Sequence, residues 1–243
     1  MHKVAILQAR LSSSRLPRKV LAELSGRSVV AHIIDRLRAA RRVDEVCVAI
    51  PADDHETPLA EALAKLDVTV VRGSQHDVLG RFIQAAYSTR ADLIVRCTAD
   101  NPLVSFDEID RQLAELEADE GLDYLITEGY PVGITPEAFT FKALEKLDYL
   151  ARHAHMREHV TLYARENPGP FAVKKLEAPR ELYAPDLSLT LDTQQDLDMF
   201  EAIYRYLYRK GHLVRLEEVF ELIRRETSEA ALSRAVASLA VSA

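Results

Sequence analysis

Residues 3–21 read KVAILQARLSSSRLPRKVL, and the stretch changes character halfway. Its first seven residues, Lys3–Ala9, form a short β-branched and apolar run that predicts a strand. The continuation gathers Arg10, Arg15, Arg18 and Lys19 around Ser12, Ser13 and Ser14, and from Ser28 the pattern turns helical. Strand, cationic loop and helix in that order are how an α/β protein offers an anion site, beyond the carboxyl end of a strand. The chain has 243 residues and a formal net charge of −7, so the cations are a local concentration on an acidic protein. A nucleic-acid backbone needs a broad basic face, so the expected partner is a small anionic ligand and not nucleic acid.

Outward from that stretch, strand-like and helix-like segments alternate. VVAHIIDRLRAARR (29–42) places Val29, Ile33, Ile34 and Leu37 at helical spacing. VDEVCVAI (43–50) predicts a strand, and TPLAEALAKL (57–66) a helix with Thr57 as N-cap and Pro58 at its first position. VTVVRG (68–73) is a strand, HDVLGRFIQAAYST (76–89) a helix, and ADLIVRC (91–97) a strand. A helix opens at SFDE (105–108), where Ser105 and Glu108 fit a capping box, and LDYLIT (122–127) makes a further short strand. Such alternation implies βαβ units, that is, an α/β fold with a mostly parallel central sheet between helices on both faces.

The second half is less regular. EGYPVGITPEAFT (128–140) is expected to cross the sheet or form an edge. Helices are expected at FKALEKLDYLA (141–151) and HMREHVTLYARE (155–166), and a strand at FAVKKLEA (171–178). LSLTLD (187–192) predicts a strand ending at Asp192, with a helix from Thr193. Two amphipathic helices, at about 212–243, close the chain as an appended segment suited to an interface. No repeat, low-complexity tract or linker interrupts it, so a single domain over 1–243 is expected.

A hydrophobic fraction of 48% with 28% charged residues fits a soluble globular protein that buries a core without staples. Cys47 and Cys97 fall inside predicted strands and lack metal or disulfide spacing, which points to a reducing compartment. No run approaches the roughly 20 apolar residues of a membrane span. Gln8 and Arg10 cut the first apolar run short of a leader sequence, so the expected location is the cytoplasm.

The loop is neither a P-loop nor a dinucleotide fingerprint, since its neighbourhood holds only Gly26. Its serines, Ser14 among them, supply hydroxyls and let backbone approach phosphate oxygens, while arginine forks and a lysine point charge neutralise them. A solvated loop phosphorylated at its serines is the alternative, and the position between strand and helix weighs against it. Asp100, in CTADNPLV, and Asp192 each stand at the tip of a predicted strand. Singly, each is a turn former or a helix cap. Brought together beside a phosphate loop, they are hard oxygen ligands for Mg²⁺. Arg72 follows a strand and reaches toward the edge of the same site, and Arg96, inside a strand, needs a carboxylate or an anionic ligand. HMREH (155–159) matches the H-x-x-E-H pattern of some zinc proteases, but nothing upstream resembles a protease core. A charged helix face, or substrate contact through His159, suits it better. The run RAARR (38–42) needs only a helix C-terminus.

QARLSSSRLPRKVL, VRCTADNPLV, REHVT and LTLDTxxDL, in this order, resemble the cytidylyltransferase family over about residues 3–205. That family includes CMP-KDO synthetases, acylneuraminate cytidylyltransferases and the spore-coat polysaccharide proteins of the SpsF type, and the motif order and spacing are most like the last. The resemblance implies a three-layer α/β/α Rossmann-like nucleotidyltransferase fold. It also implies a CTP- and Mg²⁺-dependent transfer to a sugar acid or related acceptor, with release of pyrophosphate, commonly by a homodimer. By the matching motifs, Arg10, Arg15 and Lys19 would hold the triphosphate, with Ser14 beside them. Gln8 and Ala9 would lie next to the cytosine, Arg72 would contact base or ribose, and Asp100 and Asp192 would bind the metal. Arg96 and His159 would face the acceptor. Two departures stand out. Gln194-Gln195 replaces the usual Pro-Glu, and YPVGITPEAF is less charged than its counterparts, which implies an unusual acceptor. A glycosyltransferase would carry a D-x-D pair where Asp100-Asn101-Pro102 stands. The same reaction with a sugar phosphate or phosphonate acceptor, or with a nucleotide other than CTP, is the alternative nearest to this reading, and a non-catalytic nucleotide-binding protein could shed Arg15, Lys19, Asp100 and Asp192 freely.

Overall fold

In β1 (Lys3–Gln8) four successive residues, Val4, Ala5, Ile6 and Leu7, are buried. Side chains alternate across a strand, so Ala5 and Leu7 enter one hydrophobic core and Val4 and Ile6 another. A strand buried on both faces needs a helical layer on each. The structure, a computed structural model describing residues 1–226, provides both. One layer consists of α1 (Val29–Ala39), α2 (Thr57–Ala64), α4 (Phe106–Ala118) and α8 (Gln194–Leu207). The other is built on α3 (Val78–Thr89) and α5 (Phe141–Leu150).

Between the layers, β4 (Glu45–Pro51), β5 (Thr69–Gly73), β6 (Leu93–Thr98), β7 (Tyr124–Glu128), β8 (Glu137–Thr140) and β9 (Val173–Glu177) join β1 in a seven-stranded sheet. Its order is β5-β4-β1-β6-β8-β7-β9. All neighbours are parallel except β8, which runs antiparallel to β6 and β7. The mostly parallel α/β architecture is the one expected. A two-stranded ribbon, β2 (Glu23–Leu24) with β3 (Arg27–Ser28), precedes α1 and has no counterpart in the sequence reading. The register places the site. Gln8 pairs with both Ala49 and Thr98, so β1 and β6 end level and deliver Arg10 and Asp100 to the same rim.

Several local expectations change. The end of 128–140 is not an edge: β8 inserts inside the sheet, where Arg96 of β6 pairs with Glu137 in register and in charge. LSLTLD forms no sheet strand. It makes one isolated bridge, Ser188 to Val132, and Leu191 N–H donates to Asp100 O at 2.8 Å. Its alternation is real, with Leu189 and Leu191 buried in the main core, but its backbone bonds to the loop residues Val132 and Asp100. The helix expected over 155–166 divides into α6 (Ala154–Glu158) and α7 (Leu162–Glu166), broken at buried Val160, whose φ is 24°. Thr57 opens α2 but Glu56 holds the cap position. Ser105 caps α4 by accepting Glu108 N–H at 3.1 Å, while the Glu108 carboxylate turns away to Thr127. The capping box of α8 forms between Thr193 and Asp196 despite the altered Gln194-Gln195. Of the closing helices, 216–226 is helical, and the remainder lies outside the described residues. No described helix is long and apolar enough to cross a membrane.

Candidate active site

The loop after β1 is held at its neck. Leu11 turns into the core, and its N–H donates to both oxygens of Glu56, at 3.0 and 2.8 Å. Arg18 N–H donates to Leu11 O at 3.1 Å, with Arg18 left-handed at φ 59°. Residues 12–16 are thereby displayed as a bow. A 3₁₀ turn over Lys19–Leu21 sinks Val20 into the core. Lys19 Nζ reaches Leu191 O at 2.7 Å, Asp192 Oδ1 at 2.8 Å and Asp100 Oδ2 at 3.7 Å. Arg15 Nη2 lies 2.9 Å from Asp192 Oδ2, and Thr98 Oγ1 donates to Asp100. Two carboxylates from distant parts of the chain thus converge on one ammonium group.

These residues line a cleft of about 400 Å³ at the carboxyl ends of β1 and β6. Of the residues singled out in the sequence, Gln8, Ala9, Arg10, Ser14, Arg15, Lys19, Arg96, Asp100, His159 and Asp192 all line it. Arg72 does not. Its strand β5 is the sheet edge, two strands from β1, and its Nη2 donates to Asp53 O at 2.9 Å, folding the side chain onto the turn after β4. His155 and His159 stack with ring centroids 4.9 Å apart. Among the described residues no cluster of three or more metal-ligating side chains forms, so the H-x-x-E-H pattern has no third ligand.

A second cavity of about 430 Å³ adjoins the first, and Arg96 and Thr98 line both. Its wall includes Tyr130, Val132, Glu137 and Arg165. Glu137 organises the junction. It accepts Arg96 Nη1 at 2.6 Å, Tyr124 OH at 2.5 Å and Thr161 Oγ1 at 2.8 Å. Burial alone would raise its pKa, but the Arg96 charge and the hydrogen bonds from Tyr124 and Thr161 outweigh burial and hold it below the usual glutamate value.

Sequence reasoning missed three charged groups: Glu56, Arg81 and Glu137. Arg81 lies within the apolar stripe of α3, between Leu79 and Phe82, and is buried yet lines the cleft. Burial and the neighbouring Arg10 charge lower its pKa, partly offset by Asp77 and Glu56. The available signal was a charge standing where helical periodicity demands an apolar residue.

The two aspartates also fit a divalent cation. They are oxygen donors from neighbouring segments of the cleft wall, both drawn to the Lys19 ammonium group, and Mg²⁺ is usually held by one or two carboxylates together with substrate phosphates.

Comparison with known proteins places this architecture. The profile of a family described as Cytidylyltransferase matches residues 4–229. The spore coat polysaccharide biosynthesis protein SpsF of Bacillus subtilis is 34% identical over 205 residues, covering 82% of this chain and 85% of that protein. An uncharacterized protein of Methanocaldococcus jannaschii, MJ1063, is 38% identical over 206 residues, covering 85% of this chain and 84% of its own. Among solved structures, a cytidylyltransferase from Leptospira borgpetersenii superposes with a TM-score of 0.86 at 28% identity, covering 94% of this chain and 96% of that one.

Proposed function

The chain belongs to the cytidylyltransferase family, and from that premise we propose that it transfers CMP from CTP to a sugar acid or a related acceptor in surface polysaccharide or glycoconjugate biosynthesis. One observation carries the proposal: the serine–arginine bow, Lys19 and the two aspartates meet in one cleft at the level ends of β1 and β6. The pathway is supported by the name of the Bacillus subtilis relative.

In the proposed reaction the acceptor sits in the second cavity, beside Arg96, and the nucleotide lies in the first, where His159 contributes to the wall. An acceptor oxygen attacks the α-phosphorus in line. The new P–O bond forms as the bond to the β-phosphate oxygen breaks, pyrophosphate leaves with the electron pair, and the acceptor proton passes to water. Arg15 and Lys19 stabilise the charge that grows on pyrophosphate, while Arg10 and Ser14 position the phosphates. Gln8 and Ala9 border the base. Asp100 and Asp192 would hold Mg²⁺, which when bound supplies charge neutralisation for the triphosphate. No side-chain nucleophile is required.

The test is ligand-induced stabilisation with CTP, UTP, ATP and GTP, each with and without Mg²⁺, followed by pyrophosphate release with candidate acceptors. A ligand that binds only the native state raises its melting temperature by mass action. Stabilisation by CTP with Mg²⁺ is expected, and no response to any nucleotide would overturn the proposal.

A further inference from the structure

We propose that Arg81 reads the nucleotide base and selects cytosine over uracil. The inference rests on the transfer reaction above and deepens it by assigning the determinant of nucleotide choice, a role the geometry withholds from Arg72.

The walls of the cleft divide by chemistry. Arg15, Lys19, Asp100 and Asp192 form the charged end, and Arg96 and Thr98 open toward the second cavity. Gln8, Ala9, Val78 and Arg81 contribute a further wall, which joins the end of β1 to the first turn of α3, and that helix packs across β1, β4 and β5. Ala9 and Val78 offer an apolar surface of the kind a flat ring rests on. Arg81 is 2% exposed, and its Nη1 is fixed by the carbonyls of Ser74 and Gln75. Its Nε–H is buried with no acceptor, and Gln8 Oε1 is buried with no donor. A buried polar atom without a partner costs free energy, so an unpaired donor and an unpaired acceptor on one wall mark the place of a ligand that supplies both.

The cytosine edge presents an amino donor beside the N3 acceptor, and uracil presents the reverse. A glutamine amide can turn to show either sign, but a guanidinium only donates. Arg81 therefore fixes the choice: it satisfies N3 of cytosine and opposes N3–H of uracil.

The test is calorimetric titration of the whole protein, with Mg²⁺, using CTP, UTP, 3-deaza-CTP (N3 replaced by C–H) and inorganic pyrophosphate. The wild type should bind CTP about tenfold or more tightly than UTP or 3-deaza-CTP, the size expected when one buried donor is left unpaired. Arg81→Gln, which can both donate and accept, should bring CTP and UTP together while leaving pyrophosphate affinity unchanged. Equal loss of CTP, UTP and pyrophosphate in that variant would assign Arg81 to the phosphates and overturn the inference. Equal wild-type affinity for CTP and 3-deaza-CTP would overturn it without any variant, whether or not Arg81→Gln folds. A wild type that binds no nucleotide would remove the transfer reaction itself, and the base-reading role with it.

Discussion

Replacing Glu137 by Gln should cost more than its single-atom change implies. The carboxylate accepts from three donors, Arg96, Tyr124 and Thr161, through two oxygens, and its side chain is 12% exposed. An amide presents one oxygen, so its NH₂ must face a donor, and the Arg96 guanidinium, at 17% exposure, loses its countercharge. Breaking one side of a buried pair typically costs about 3–5 kcal/mol, because the stranded charge stays desolvated. In a protein of this size that lowers the melting temperature by roughly 10 °C, at about 2–4 °C per kcal/mol. The effect has a definite pH signature. Glu137 has a folded pKa below its ordinary 4.5, so its contribution is complete above the ordinary value and disappears as pH falls through the folded one. The gap between wild type and Glu137→Gln should therefore be constant near neutrality and close in acid below about pH 4.5. Urea unfolding at pH 7 and across the acid range measures both. A variant within about 1 kcal/mol of wild type at pH 7, or a gap that widens in acid, would refute the pairing argument.

Three further outcomes are expected. Asp192→Asn removes the charge shared by Lys19 and Arg15 and leaves Asp100 as the remaining carboxylate near Lys19, so the melting temperature should fall by only a few degrees while Mg²⁺-dependent pyrophosphate release falls about 100-fold or more; normal turnover would exclude the two-aspartate site. Glu56→Ala strands the buried Leu11 N–H, which should cost about 1–3 kcal/mol in urea unfolding and weaken CTP binding through the loosened bow. Burial pushes the Cys47 and Cys97 thiols up to about 12, so neither should react with a disulfide reagent at pH 8 until the protein is unfolded, as thiol titration with and without denaturant would show.

How much of this was legible depended on whether the determining interaction was local. The first strand, the bow and α3 follow from periodicity and turn chemistry within a few residues, and the sequence placed them correctly. The cap that Thr193 and Asp196 form is likewise local, since a capping box spans only a few residues. By contrast, β8 is placed by pairing with β6 and β7 and by Glu137 meeting Arg96, 41 residues away, and nothing in EAFT distinguishes an interior strand from an edge. LSLTLD shows the opposite error: alternation reports burial on one side and says nothing about a hydrogen-bonding neighbour, and the backbone of the segment bonds to loop residues instead of a strand. The place of Arg81 in the cleft wall was hidden for the same reason. Arg72 lies in β5 and Arg81 in the helix that follows, but only the arginine on the inner face of α3 reaches the cleft, because the helix crosses back over the sheet while the strand stays at its edge.

The charge arrangement answers why an acidic chain can concentrate cations without being destabilised by them. Asp192 is the shared partner of Arg15 and Lys19, Asp100 adds a second carboxylate near Lys19, and Glu56 acts on buried Arg81 from beneath the bow. Each cation that faces the cleft through these contacts has an anion supplied by a different segment, from residues 56, 100 and 192, so the site is near neutral only in the folded chain. A ligand carrying both signs, a polyphosphate with its divalent cation, can exchange with those internal pairs without leaving either the arginines or the aspartates unpaired. A lone anion would strand the aspartates and a lone cation the arginines. The pairing itself therefore favours joint over separate binding, which is the electrostatic condition that nucleotidyl transfer imposes on its site.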